Sequence, residues 1–180
     1  MDKRLERILP RVQKPARYTG GEYNEIIKDK TSADLRMAFC FPDIYEIGMS
    51  NLGMRILYGV TNEMPGVWCE RVFAPWGDMA EEMRRVGIPL YALESGDPVS
   101  EFDVIGFSLG YEMAYPTVLD MLDMAGIPMR SEDRKALVPL VFAGGTSCCN
   151  PEPMADFFDL MVLGEGEEVN CELLRLFRTA

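Results

Sequence analysis

The chain contains no histidine. That excludes Ser-His-Asp and Cys-His catalysis, imidazole ligation of a metal, and the ordinary neutral-pH base. Basic residues are scarce, 18 against 29 acidic ones, for a net charge of -11. A phosphate backbone is gripped by clustered Lys and Arg, so no direct nucleic-acid binding is expected of this chain. No apolar run approaches the roughly 20 residues of a membrane span. The first residues are charged (Asp2, Lys3, Arg4, Glu6, Arg7) and lack the apolar core of a secretory signal. The five cysteines (Cys40, Cys69, Cys148, Cys149 and Cys171) are odd in number. Free thiols in a reducing cytoplasm are the expected setting. No internal repeat or low-complexity segment is present.

What is there is a globular composition, 48% hydrophobic over 180 residues, enough for one domain with a small appendage. The chain is organised around residues 39–53. An apolar run, Leu35 to Phe41, stops at Pro42-Asp43, and a helical pattern begins near Ser50, with Leu52, Ile56, Leu57 and Val60 as its expected inward stripe. Further strands are expected at Val67–Phe73, Phe102–Leu109, Leu137–Ala143 and Leu160–Leu163. Helices are expected at Trp76–Val86, Tyr115–Ala125 and Glu168–Phe177. Alternation at this spacing predicts an α/β fold: a doubly wound, mostly parallel, five-stranded Rossmann-like sheet of flavodoxin-like order 2-1-3-4-5, with helices on both faces. Residues 1–30 read as a polar lead-in, 31–168 as the Rossmann-like domain, and 169–180 as a closing helix.

Ligands of such sheets bind beside the carboxyl ends of the strands. Three of those ends carry small residues next to hydrogen-bonding ones: Asp43-Ile44-Tyr45-Glu46-Ile47-Gly48, Ser108-Leu109-Gly110 and Gly144-Gly145-Thr146. Each alone reads most plainly as a turn; three at neighbouring strand ends point to a ligand cleft. The carboxylates Asp43, Glu46 and Glu112 read as solvated or capping groups, with acid–base work as the alternative.

These phrases carry a resemblance. Arg17-Tyr18-Thr19-Gly20-Gly21-Glu22-Tyr23-Asn24, Pro42 through Gly53, Phe107-Ser108-Leu109-Gly110-Tyr111-Glu112 and Ala143-Gly144-Gly145 with Gly164-Glu165-Gly166-Glu167 are similar to the amino-terminal, cobalamin-binding-like domain of uncharacterised radical S-adenosylmethionine (SAM) proteins. The resemblance spans about residues 17–168. It implies a cobalamin-binding-type fold, with Asp43, Tyr45, Gly48 and Ser50 on one side of a cofactor pocket and Ser108, Leu109, Gly144 and Gly145 on the other. Two departures matter. Tyr45 stands where the family pattern has a cobalt-ligating histidine, so cobalamin would bind base-off without a histidine ligand. The C-x3-C-x2-C triplet that holds a [4Fe–4S] cluster is missing; the cluster and SAM are then expected in a catalytic domain outside this chain, and Cys148-Cys149 read as structural thiols.

Two readings stand side by side: a living cobalamin site, or a domain that only docks on the catalytic barrel through Tyr18, Glu165 and Glu167. An isolated piece is expected to form homodimers through the apolar surface left at such an interface. A third class, a flavodoxin-like nucleotide or flavin binder, lacks a phosphate-binding Ser/Thr/Gly run after the first strand.

Overall fold

The structure, a computed structural model, describes residues 2–179. In chain order it runs α1 (Lys3–Ile8), β1 (Leu35–Phe41), α2 (Tyr45–Ser50), α3 (Leu52–Glu63), β2 (Val67–Phe73), α4 (Gly77–Val86), β3 (Val104–Ser108), α5 (Tyr115–Ala125), β4 (Leu140–Gly144), β5 (Leu160–Val162) and α6 (Gly166–Phe177), with short 3₁₀ turns between. The five strands form one sheet of order β2-β1-β3-β4-β5, every pair parallel. This is the predicted doubly wound arrangement.

Side chains alternate across the sheet and feed two cores. Ala38, Cys40, Ile105, Phe107, Val141 and Ala143 face α1, α4 and α5, where Met79, Met83, Val118 and Leu122 are buried. Leu35, Met37, Phe39, Val104 and Phe142 face α3 and α6, which supply Met54, Tyr58, Cys171 and Leu174. A strand buried on both faces needs apolar residues at successive positions, which is why β1 and β3 read as continuous apolar runs.

Three local outcomes differ from the sequence reading. The helix after β1 is two helices. α2 turns the corner, and Asn51, not Ser50, caps α3 by accepting the Met54 amide at 2.9 Å. The inward face of α3 is Met54, Tyr58, Thr61 and Asn62, whereas Leu52 and Ile56 are exposed. Leu5, Ile8, Val12 and Tyr18 of the lead-in are buried in the first core. Likewise the closing helix begins at Gly166 and buries Asn170, Cys171 and Leu174 within this domain.

β2 is an edge strand with a charged interior. Glu70 and Arg71 are both buried. The Glu70 carboxylate accepts Arg36 and the Ser95 amide, and Arg36 lies over the Phe102 ring at 4.3 Å. On the outer side, Asn62 brackets Cys69, accepting its amide at 3.0 Å and donating to its carbonyl at 2.9 Å. The Arg71 amide donates to Glu94, and its carbonyl accepts the Leu93 amide. Lys28 donates to the Val67 carbonyl at 2.5 Å, and its burial lowers the ammonium pKa.

Candidate functional site

The carboxyl edge of the sheet divides into two halves. At the β1 end, the chain's own groups answer one another. Asp43 Oδ1 accepts the Ile44 amide at 2.7 Å, its carbonyl accepts Ala74 at 3.0 Å, and Oδ2 accepts the Tyr111 hydroxyl at 2.6 Å. That last bond is the main reason the Tyr111 phenol is pushed upward. The Tyr45 hydroxyl donates to Glu22, and its ring stands edge-on to Phe73 with centroids 5.6 Å apart. Burial, helped by Glu22, pushes the Tyr45 phenol up to about 12. Gly48 is pressed so close to Phe73 that an added Cβ would fall 2.1 Å from the ring. Glu46 accepts Arg17 at 2.8 Å and Lys14 at 3.0 Å, and these bonds hold its carboxyl at about 2. Ser50 is exposed and donates to the Ile47 carbonyl at 2.9 Å.

The other half is open. The ends of β3, β4 and β5, with the first turns of α3 and α6, enclose a cleft of about 250 Å³. Phe39, Leu57, Phe142 and Val162 give it an apolar lining; Ser108, Gly144, Gly145, Glu165 and Glu167 complete it. Gly145 has φ +113, and a Cβ there would sit 2.5 Å from the Leu109 carbonyl oxygen. Only glycine tolerates both conditions. Gly144 is different: an added Cβ meets nothing closer than Val162 at 3.8 Å. Leu109 is fully buried and contributes backbone, its amide donating to Gly144 at 2.7 Å and its carbonyl accepting Ser147 at 3.1 Å.

Of the eight expected cofactor-pocket positions, Ser108, Gly144 and Gly145 line this cleft, and Leu109 supports it from behind. Asp43, Tyr45, Gly48 and Ser50 do not line it. Glu165 and Glu167 do, at the amino end of α6. Tyr18 is corrected: it is 8% exposed, its hydroxyl accepts the Trp76 amide at 3.2 Å, and its carbonyl accepts Tyr91 at 2.9 Å. A side chain held in the domain's own core presents no docking face.

One cleft residue escaped the sequence reading. Asn170 is 6% exposed, donates to Thr61 Oγ1 at 2.8 Å, and leaves its Oδ1 without a partner. Its signal was an amide within the buried stripe of the closing helix. Among the described residues, no group of three or more Cys, Asp or Glu side chains is placed to hold a metal. The cysteines are free thiols, Cys148 buried and Cys149 exposed. No helix among those residues is long and apolar enough to cross a membrane.

Fold and cleft together define a doubly wound α/β domain with an apolar pocket beside the carboxyl ends of its strands. Residues 53–180 match the family model described as radical SAM proteins, N-terminal, and the chain belongs to that family. No curated protein and no solved structure matches it.

Proposed function

We propose that this domain is the accessory partner of a radical SAM catalytic domain, and that its open cleft takes base-off cobalamin, nucleotide tail first. The observation that supports this is the cleft itself, an aromatic-lined slot reached over strand ends that carry no side chain at Gly144 and Gly145. A flat apolar tail suits Phe39 and Phe142. The unpartnered amide of Asn170 offers a buried polar contact, and the amides opening α6, which no side chain caps, suit a singly charged phosphodiester. Glu165 and Glu167 oppose a phosphate dianion, which weighs against a flavin mononucleotide. Tyr45 lies outside the cleft with its hydroxyl committed to Glu22, so this chain offers the cobalt no ligand there. Cobalamin, when bound, supplies a transferable methyl group or a labile carbon–cobalt bond; cluster and SAM belong to the catalytic domain.

The test is a titration of the chain with hydroxocobalamin and methylcobalamin, read by absorbance after desalting. A retained base-off spectrum is expected, lost in Gly144→Val, which fills the cleft, and kept in Ser50→Ala. No retention at high micromolar cobalamin by folded protein overturns the cofactor reading.

A second reading, docking alone, is favoured by a separate observation. Around the carboxyl edge of the sheet, Leu52, Met113 and Leu163 are 67%, 83% and 63% exposed, with Ile47 and Tyr111 also exposed. Contiguous exposed apolar side chains mark interfaces. On this reading, Met113→Asp in the whole protein lowers SAM cleavage while cobalamin is not retained.

A further inference from the structure

α3 separates two cavities. Gly53 and Leu57 line the cobalamin-type cleft; Met54 and Tyr58, one position on, line a second cavity of about 320 Å³ with Asn24, Met49, Arg55 and Arg71. Arg71 is 4% exposed. Its Nε donates to Glu94 at 2.6 Å, and the Tyr58 ring lies 4.5 Å from the guanidinium carbon. Nη1 meets only the Met49 sulfur, at 3.3 Å, a weak acceptor. Nη2 is buried and has no partner. Buried donors are nearly always satisfied, and those of a charged group most of all. The guanidinium is thus bonded on one side by Glu94, feels the Glu22 charge without a bond to it, and has no strong acceptor at the Nη1–Nη2 end.

The surroundings fix what could answer it. Two arginines and, among the described residues, no acidic side chain line the cavity, although the chain carries a net charge of -11. The rest of the lining is Gly48, Met49, Leu52, Met54, Ile56 and Tyr58, apolar or aromatic, with Asn24. We propose that this cavity binds a monocarboxylate with an apolar body. The carboxylate meets the Nη1–Nη2 fork of Arg71 and the Arg55 side chain; the body lies against Met49, Met54 and Tyr58. A planar fork matches the two coplanar oxygens of a carboxylate. A phosphate dianion brings further oxygens that the lining does not satisfy, and it feels the Glu94 charge twice over. This site is separate from the cobalamin-type cleft and does not depend on what that cleft holds.

The probe is benzoate, with benzyl alcohol and inorganic phosphate as comparisons, titrated into the chain at constant ionic strength and followed by amide ¹H–¹⁵N spectra. Benzoate is expected to give saturable shifts at Met49, Arg55, Tyr58 and Arg71. Arg55→Glu, an exposed position that leaves the Arg71–Glu94 pair intact, is expected to weaken binding about tenfold, a loss of about 1.4 kcal/mol. The joint replacement Arg71→Gln with Glu94→Gln, which leaves no buried charge unpaired, is expected to abolish it. Absence of saturable shifts, equal binding of benzyl alcohol, tighter binding of phosphate, or an Arg55→Glu protein that binds benzoate unchanged would each overturn the proposal.

Discussion

The two halves of the sheet's carboxyl edge start from similar material and end differently. After β1, a glycine, two carboxylates and a phenol each have a partner in the protein: Gly48 in Phe73, Asp43 in Tyr111, Glu46 in Arg17 and Lys14 through one of its two oxygens, Tyr45 in Glu22. After β3, β4 and β5, the small residues border a cleft, and Asn170 keeps an unpaired oxygen beside it. The lead-in accounts for half of the difference, since Lys14, Arg17 and Glu22 come from it. A strand end becomes a site when nothing else in the chain uses its polar groups.

Neighbouring glycines give the largest contrast. Gly145→Ala combines φ +113 with a clash on the Leu109 carbonyl, and is expected to cost about 3 kcal/mol. Gly144→Ala meets only Val162 at 3.8 Å, and is expected to stay within about 1 kcal/mol. Urea denaturation of both proteins checks the pair; equal losses would deny that the cleft is open at Gly144.

On the closed half, Gly48→Ala forces the Phe73 ring aside and with it the Tyr45 edge contact. About 1–3 kcal/mol is expected, with tyrosine near-ultraviolet dichroism altered.

The smallest effect is electrostatic. The Glu46 carboxyl lies at about 2 in the fold against 4.5 ordinarily. Because the folded value is the lower one, the stabilisation is fully present above pH 4.5 and is lost as pH falls toward 2. Glu46 itself is partly exposed, so the effect is modest. Arg17 lies over the Trp76 ring at 5.9 Å, so tryptophan fluorescence reports the release of the lead-in. Glu46→Gln should remove that transition from the acid limb and leave the remainder of the curve unchanged.

The strand order was readable because each parallel strand is a mostly apolar run followed within two residues by glycine or proline. The phase of α3 was not. Leu52, Ile56, Leu57 and Val60 have helical spacing, yet the face turned to the sheet includes Thr61 and Asn62. Their polar groups are answered by Asn170 and by the β2 backbone, contacts that no local pattern announces. The cleft was half legible. Ser108, Gly144, Gly145, Glu165 and Glu167 sit together because the sheet brings its strand ends together. Tyr45 falls outside that cleft, and its bond to Glu22 was not legible because Glu22 comes from the other side of β1 in sequence. Arg71 went unread because a charge inside an apolar strand gives no hint that Glu94, 23 residues on, will meet it.

The outer rim of β2 has one more consequence. An edge strand ordinarily offers a row of free amides and carbonyls on which a second chain can lay itself down and begin a fibre. Here the outward groups of Val67, Cys69 and Arg71 are all taken: Met64 and Lys28 at the first, the Asn62 amide at the second, Glu94 and Leu93 at the third. Three of the five partners are side chains, so from Val67 to Arg71 the rim is closed without a sixth strand, and a foreign strand is left only the Phe73 end of β2 and, at the other rim, the three-residue β5.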